Sequence, residues 1–116
     1  MYRVTVLFGQ PTDPAEFERY YHDTHFPLAA QLKGIAGLTM GKCESMDPQQ
    51  PAAFYRVTSY YVESRSALEA LLTSTEGRAA LADLPNFATG GYTIMVDEEK
   101  ALVPFTMTKM TKMTKS

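Results

Sequence analysis

Apolar and polar residues alternate from the start of the chain. Between residues 2 and 9, Tyr2, Val4, Val6 and Phe8 fall on one side of the pattern, and Arg3, Thr5 and Leu7 fall on the other. Strict period-two alternation is typical of a strand. The pattern predicts a first strand over residues 2–9.

A helix is expected after the turn that follows. Asp13 is a suitable N-cap, Pro14 suits the first helical position, and Glu16 stands three residues after the cap, as in a capping box. Spacings of three and four residues then give one apolar stripe, which faces a core. Its members are Phe17, Tyr20, Tyr21, Thr24 and Leu28.

Pro27 interrupts this helix. Proline has no N–H for the carbonyl of Asp23, and it disfavours a helical conformation at the preceding Phe26. We therefore expect a kink or break beside His25.

The remaining elements follow from turn residues and β-branched or aromatic runs. Residues 38–46 predict a second, more polar strand, and residues 54–63 a third that is dense in aromatic residues. Ser64 or Ser66 caps a second helical region, which continues to Asp83 and is stopped by Pro85. Residues 92–97 predict the last strand.

The predicted order β-α-β-β-α-β defines an α+β, ferredoxin-like domain, in which an antiparallel four-stranded sheet carries both helices on one face. Exposing apolar area costs roughly 25 cal/mol per Å². Both alternating sets of the third strand are apolar, so the face without helices also needs cover, and we predict a homodimer through this open sheet face, forming a dimeric α+β barrel. The two sets are Tyr55, Val57 and Tyr61 against Phe54, Tyr60 and Val62.

Charge and composition narrow the partners. The net charge is −2, and without three lysines of the C-terminal segment the remaining chain is more acidic, so a nucleic-acid partner is not expected. There is no apolar stretch of membrane-spanning length and no basic leader, which predicts a cytoplasmic protein without a membrane partner. Cys43 is the single cysteine and has no intrachain partner.

The C-terminal segment differs from the rest. Residues 1–104 are predicted to form one domain, and residues 105–116 a tail that repeats Met-Thr-Lys three times from Met107. A three-residue period fits neither helix nor strand. The tail is expected to be flexible or to form an arm on the partner subunit.

The two histidines, His22 and His25, are the first candidates for chemistry. Relative to the centre of the apolar stripe, at about 100° per residue, His25 lies about 80° away and His22 about 140° away. An imidazole at the edge of a core can exchange protons near neutrality, so His25 is the better general acid or base; a helix-end histidine bonded to backbone or a carboxylate is the structural alternative. A metal site would need a distant third ligand such as Glu44 or Asp83, and none is predicted.

Aromatic residues are more numerous than a small core requires. Some are expected to line a cavity for a flat organic ligand, although core packing explains any single one equally well. Arg56 stands inside the third strand, where it either holds an anionic group or pairs with Glu44 or Glu63. With His22, the candidate ligand contacts are Tyr21, Arg56, Tyr60, Tyr61 and Phe87.

No phosphate-binding glycine loop, nucleophile elbow or cysteine cluster occurs, so no cofactor is predicted. Over residues 2–99 the order of elements resembles the EthD family of dimeric α+β barrel proteins. The resemblance rests on Phe17-x-x-Tyr20-Tyr21-x-x-x-His25-x-Pro27-Leu28 and on the segment Asp83-Leu-Pro-Asn-Phe87.

Members of that family are linked with degradation of ethyl tert-butyl ether, and similar proteins include dehydratases, decarboxylases and cofactor-free monooxygenases. The resemblance implies a homodimer, a pocket between helices and sheet in each subunit, and His25 as a pocket residue. Two hypotheses result. One is an enzyme of small-molecule catabolism or tailoring with cofactor-free oxidoreductase or lyase chemistry at His25; the other is a non-catalytic dimeric carrier of an apolar or aromatic ligand.

Overall fold

The computed structural model describes residues 1–106, and the Met-Thr-Lys repeat from Met107 lies outside the described residues. The predicted β-α-β-β-α-β order is confirmed. The elements are β1 (Tyr2–Phe8), α1 (Pro14–Tyr20), a π-helical turn (Tyr21–His25), α2 (Phe26–Ala29), β2 (Gly37–Lys42), β3 (Arg56–Val62), α3 (Arg65–Thr73), α4 (Thr75–Asp83), a 3₁₀ turn (Leu84–Asn86) and β4 (Tyr92–Glu98).

The four strands form one antiparallel sheet in the order β2-β3-β1-β4. In its centre, Val4 of β1 pairs with Tyr60 of β3 and with Val96 of β4. Because side chains alternate along a strand, Val4, Val6 and Phe8 share one face, which the helices cover. This face holds the core.

The opposite face of the sheet carries no helix. It is mixed rather than uniformly apolar: Leu7, Val57 and Tyr61 are half-buried, and Arg3 on the same face binds Asp97 through two hydrogen bonds of 2.9 and 2.7 Å. We refer to this surface as the open face.

Within residues 1–106 no helix is long and apolar enough to cross a membrane.

Strands β2 and β3 are shorter than predicted. The expected second strand, residues 38–46, ends at Lys42, because the hydroxyl of Ser45 and the carboxylate of Asp47 accept hydrogen bonds from local backbone N–H groups and form a turn instead. Strand β3 begins only at Arg56, so the expected alternation does not reach Tyr55. That side chain is buried in the helix-side core rather than on the face of Val57 and Tyr61.

The predicted interruption near Pro27 takes the form of the π-helical turn. The N–H of Phe26 donates to the carbonyl of Tyr21, five residues earlier, where an α-helix would use four. The expectation that Phe26 leaves the helical region is wrong, since its φ and ψ are −59° and −41°. The wider turn relieves the clash between the Pro27 ring and the preceding turn, so the chain stays helical.

Candidate functional site

A small cavity lies between α3, α4 and the sheet, on the helix-covered face. Its volume is about 40 Å³, enough for about three water molecules. The side chain of His25 and that of Tyr60 are its polar wall groups, and all other lining residues are apolar or glycine: Val4, Val6, Leu32, Leu71, Leu72, Gly77, Ala80, Leu81 and Leu84.

The π-helical turn brings His25 to this wall. Phe17, Tyr21, His25 and Ala29 are all buried and are spaced by four residues. In an α-helix, a spacing of four rotates successive side chains by about 40° away from one face. The wider π-helical turn reduces that rotation, so His25 keeps the buried direction. It is only 2 % exposed, deeper than the edge position that α-helical geometry predicts.

A buried carboxylate holds the His25 ring. Nδ1 of His25 lies 2.9 Å from Oδ2 of Asp83, at the end of α4. The other oxygen of Asp83, Oδ1, accepts hydrogen bonds from the Tyr20 hydroxyl at 2.7 Å and from the Asn86 amide at 3.0 Å. Both carboxylate oxygens are therefore engaged, and Nε2 of His25 is the ring nitrogen that has no hydrogen bond to another described residue.

These contacts decide the charge of Asp83. Burial by itself raises the pKa of this carboxyl group. Hydrogen bonds from Tyr20, Asn86 and His25 together outweigh burial and hold the pKa of Asp83 below its usual range. Asp83 is therefore a carboxylate at neutral pH.

Aromatic rings pack against the imidazole ring of His25. The ring centroid of Phe87 lies 4.7 Å from that of His25, and the Tyr20 ring stacks on Phe87 at a centroid distance of 5.2 Å. Tyr21 lies 5.5 Å from His25. This packing restricts rotation of the His25 ring, as a site with fixed proton geometry requires.

Arg56 belongs to a second, part-buried cluster. Its guanidinium nitrogen Nη2 donates to both oxygens of Glu18, at 2.7 and 2.6 Å, and the Tyr55 hydroxyl donates to Oε1 of Glu18 at 2.6 Å. The guanidinium also lies 4.4 Å from the centroid of the Tyr21 ring. Arg56 is thus paired, with Glu18 from α1 rather than with the Glu44 or Glu63 considered from the sequence.

The other candidate contacts are divided among different surfaces. Tyr60 is on the cavity wall, and burial raises the pKa of its phenol. Phe87 and Tyr21 pack against His25. His22 is exposed and lies 3.7 Å from Glu18, away from the cavity. Tyr61 points to the open face, so it does not reach His25.

Asp83 and Asn86 were not among the candidate contacts predicted from the sequence. Both lie in the Asp83-Leu-Pro-Asn-Phe87 segment, where Pro85 ends α4 and the 3₁₀ turn directs Asn86 back to Asp83. The sequence did carry one signal for this pair, because Asp83 and Asn86 are only three residues apart and Pro85 between them favours a turn. Within residues 1–106, no three His, Cys, Asp or Glu side chains converge as a metal site.

Fold and site together define a ferredoxin-like α+β domain with a carboxylate-held histidine on an apolar cavity. The model of the EthD domain matches residues 9–91. The chain belongs to the EthD domain family.

The chain is similar to the following proteins in sequence or in fold. An uncharacterized 11.0 kDa protein from the thcB-thcC intergenic region of Rhodococcus erythropolis is 38% identical over 104 residues, covering 90% of this chain and all of that protein. The crystal structure of an ethyl tert-butyl ether D (EthD) family protein from Bacillus halodurans superposes with a TM-score of 0.79 at 27% identity, over 86% of this chain and 99% of the other. A dimeric ferredoxin-like protein from Thermobifida fusca shares the fold at a TM-score of 0.62 and 14% identity, over 84% of this chain and 90% of the other.

Proposed function

We propose that this protein binds a compact apolar or aromatic molecule in the His25 cavity and acts on it in small-molecule catabolism or tailoring, with His25 as general acid or base. One observation carries the proposal: a buried, carboxylate-held imidazole lies on the wall of a cavity that is apolar apart from His25 and Tyr60. The reaction type that the EthD family suggests is oxidoreductase or lyase chemistry without a bound cofactor.

The wall chemistry favours such a ligand. Apolar side chains supply affinity in proportion to the area that they bury, at roughly 25 cal/mol per Å². His25 and Tyr60 are the wall groups that can hydrogen-bond a ligand. An ionised ligand would lose hydration without finding a countercharge, since Arg56 is engaged by Glu18. A small neutral molecule with one polar group matches these wall groups best, and one larger than about three water molecules has to widen the cavity or extend out of it.

A homodimer through the open face is part of the proposal. The related ferredoxin-like protein of T. fusca is described as dimeric. In this chain the apolar residues of that face are Leu7, Val57, Tyr61 and Met95, and Met95 is 48 % exposed. Sedimentation velocity should show a dimer that Val57→Asp dissociates; a wild-type monomer at micromolar concentration would contradict it. The cytoplasmic location remains a prediction. So does the expectation that residues 105–116 form a flexible tail or an arm on the partner subunit.

The first experiment is a thermal-shift screen with small phenols, alcohols and ketones, phenol and cyclohexanol among them. A ligand at 100 times its Kd stabilises the folded state by about 2.7 kcal/mol. Ala80→Leu fills the cavity from α4 and should abolish the shift. His22→Ala removes the exposed histidine and should leave it unchanged. A hit that Ala80→Leu retains would place the ligand elsewhere and refute the proposal.

The second experiment separates enzyme from carrier. With a ligand from the screen, His25→Ala should abolish turnover and leave affinity nearly intact if His25 is catalytic. His25→Asn keeps a donor near Asp83 without a titratable ring, so it serves where His25→Ala folds poorly. Loss of affinity alone, with no turnover by the wild type, would favour the carrier.

A further inference from the structure

We propose that Asp83 is a positioning residue that keeps neutral His25 in its Nδ1–H tautomer, so that Nε2 accepts a proton from the bound ligand. The ligand class follows from this. It must carry a transferable proton, either on a hydroxyl group or on a carbon next to a carbonyl. The statement about the ligand rests on the proposed function, whereas the statement about the tautomer stands by itself.

The hydrogen bonds around Asp83 define the direction of each proton. The hydroxyl of Tyr20 and the amide of Asn86 both donate to Oδ1, which occupies that oxygen. Oδ2 faces Nδ1 of His25 at 2.9 Å. An ionised carboxylate can only accept, so Nδ1 must be the donor of this contact.

The opposite assignment would need a proton on Asp83. That proton would sit on Oδ2, since Oδ1 already accepts from two donors. The hydrogen bonds that Tyr20 and Asn86 donate to Oδ1 do not depend on the tautomer of His25, and both favour the ionised form of Asp83. The geometry thus favours a carboxylate with a donating imidazole.

Whenever His25 is neutral, the consequence for the chemistry is a base at the start of the cycle. A neutral imidazole has one donor and one acceptor nitrogen, so with Nδ1 donating, Nε2 carries the free electron pair. A proton moves from the ligand to Nε2, and its bonding electron pair stays on the ligand oxygen or carbon. The resulting imidazolium is stabilised by the Asp83 carboxylate at 2.9 Å and can return the proton later.

Nitrogen NMR of the imidazole rings measures this directly. The chain has two histidines, so ¹⁵N-labelled protein gives two ring spin systems, and His22→Ala assigns them. At a pH of about 9 an ordinary imidazole is neutral. His25 should then show a protonated Nδ1 and an unprotonated Nε2, while exposed His22 reports the behaviour of a solvated ring.

Asp83→Asn is the decisive variant. Its carbonyl oxygen still accepts from Tyr20 and Asn86, but its amide now donates to Nδ1 of His25 and forces the Nε2–H tautomer. The matched control, Tyr20→Phe, removes one hydrogen bond from the same carboxylate and should leave the tautomer unchanged. Turnover of any substrate found should fall on the order of 10²–10⁴-fold in Asp83→Asn, with little change in affinity.

Two outcomes would overturn the inference: wild-type His25 in the Nε2–H form, or an unchanged tautomer in folded Asp83→Asn. If Asp83→Asn does not fold, the wild-type spectrum alone decides. The proposed function fails in a different way. Nδ1 of His25 would then be protonated in the NMR spectrum, while Ala80→Leu would change no ligand shift in the screen. That result would support the tautomer and refute ligand binding in the cavity.

Discussion

Glu18→Gln tests whether Arg56 is structural. The substitution leaves the Arg56 guanidinium, with 7 % of its side chain exposed, without a countercharge. Breaking a fully buried ion pair costs about 3–5 kcal/mol. Glu18 is 32 % exposed, so solvent screens part of the interaction, and we expect a loss of about 2–3 kcal/mol. The Tyr55 hydrogen bond survives, because glutamine keeps an acceptor.

A double-mutant cycle isolates the pair. Arg56→Met removes the buried charge together with its contact to the Tyr21 ring, at a cost of about 1–2 kcal/mol. In the double variant Glu18→Gln/Arg56→Met no unpaired charge remains, so its stability should approach that of Arg56→Met alone. Urea unfolding followed by far-ultraviolet circular dichroism measures all four proteins, with constant m-values as the check on a common unfolded state.

Two results would refute this reasoning. A loss below about 0.5 kcal/mol in Glu18→Gln would show that the guanidinium is hydrated or finds another partner. If the loss in the double variant equalled the sum of the two single losses, the two side chains would not interact. Ligand binding gives a further check. Since Arg56 does not line the His25 cavity, Arg56→Met should retain the thermal shift of any ligand found in the screen, and loss of that shift would return Arg56 to the ligand contacts.

Three further predictions concern stability. The pKa of Asp83 is lower in the folded state than in the unfolded state. The ionised side chain therefore stabilises the fold above the unfolded pKa of about 3.9, and this stabilisation is lost as the pH falls through the folded pKa. In Asp83→Asn the free energy of unfolding, measured with urea at several pH values, should depend less on pH in that range. In Gly77→Ala the new Cβ would lie 1.9 Å from the carbonyl oxygen of Leu71, so unfolding by urea should show a loss of about 1–3 kcal/mol, and a neutral effect would contradict the packing. Ser64→Ala removes the cap on the N–H of Ala67 and should lower the melting temperature by an amount equivalent to about 1 kcal/mol, which Ser64→Asp should restore.

Local signals in the sequence were sufficient to predict the elements of the fold and their order. The alternation around Val4 and Val6, the cap at Asp13 and the cap at Ser64 each predicted an element that the structure contains. These signals depend on neighbours within four residues, so they can be recognised without knowledge of the tertiary contacts. Strand ends were less accurate, because the turn at Ser45 and Asp47 replaces ladder hydrogen bonds with local ones.

The site was predictable only in part. The sequence singled out His25 and Tyr60, both of which lie on the cavity wall. The alternation placed Tyr61 on the opposite face from Tyr60, but it did not show which of the two would face the helices, because that depends on which side of the sheet the helices cover. Nor did it identify Glu18 as the partner of Arg56, 38 positions away.

The sequence by itself determined the order of elements, their caps and the helical interruption near Pro27, since all of these follow from short-range backbone geometry. Tertiary structure decided which charges and rings meet. Asp83 and His25 are separated by 58 positions, and only the packing of α4 against the π-helical turn brings the carboxylate to 2.9 Å from the imidazole. A hydrogen bond depends on distances of a few tenths of an ångström, and such distances are fixed by the folded chain as a whole.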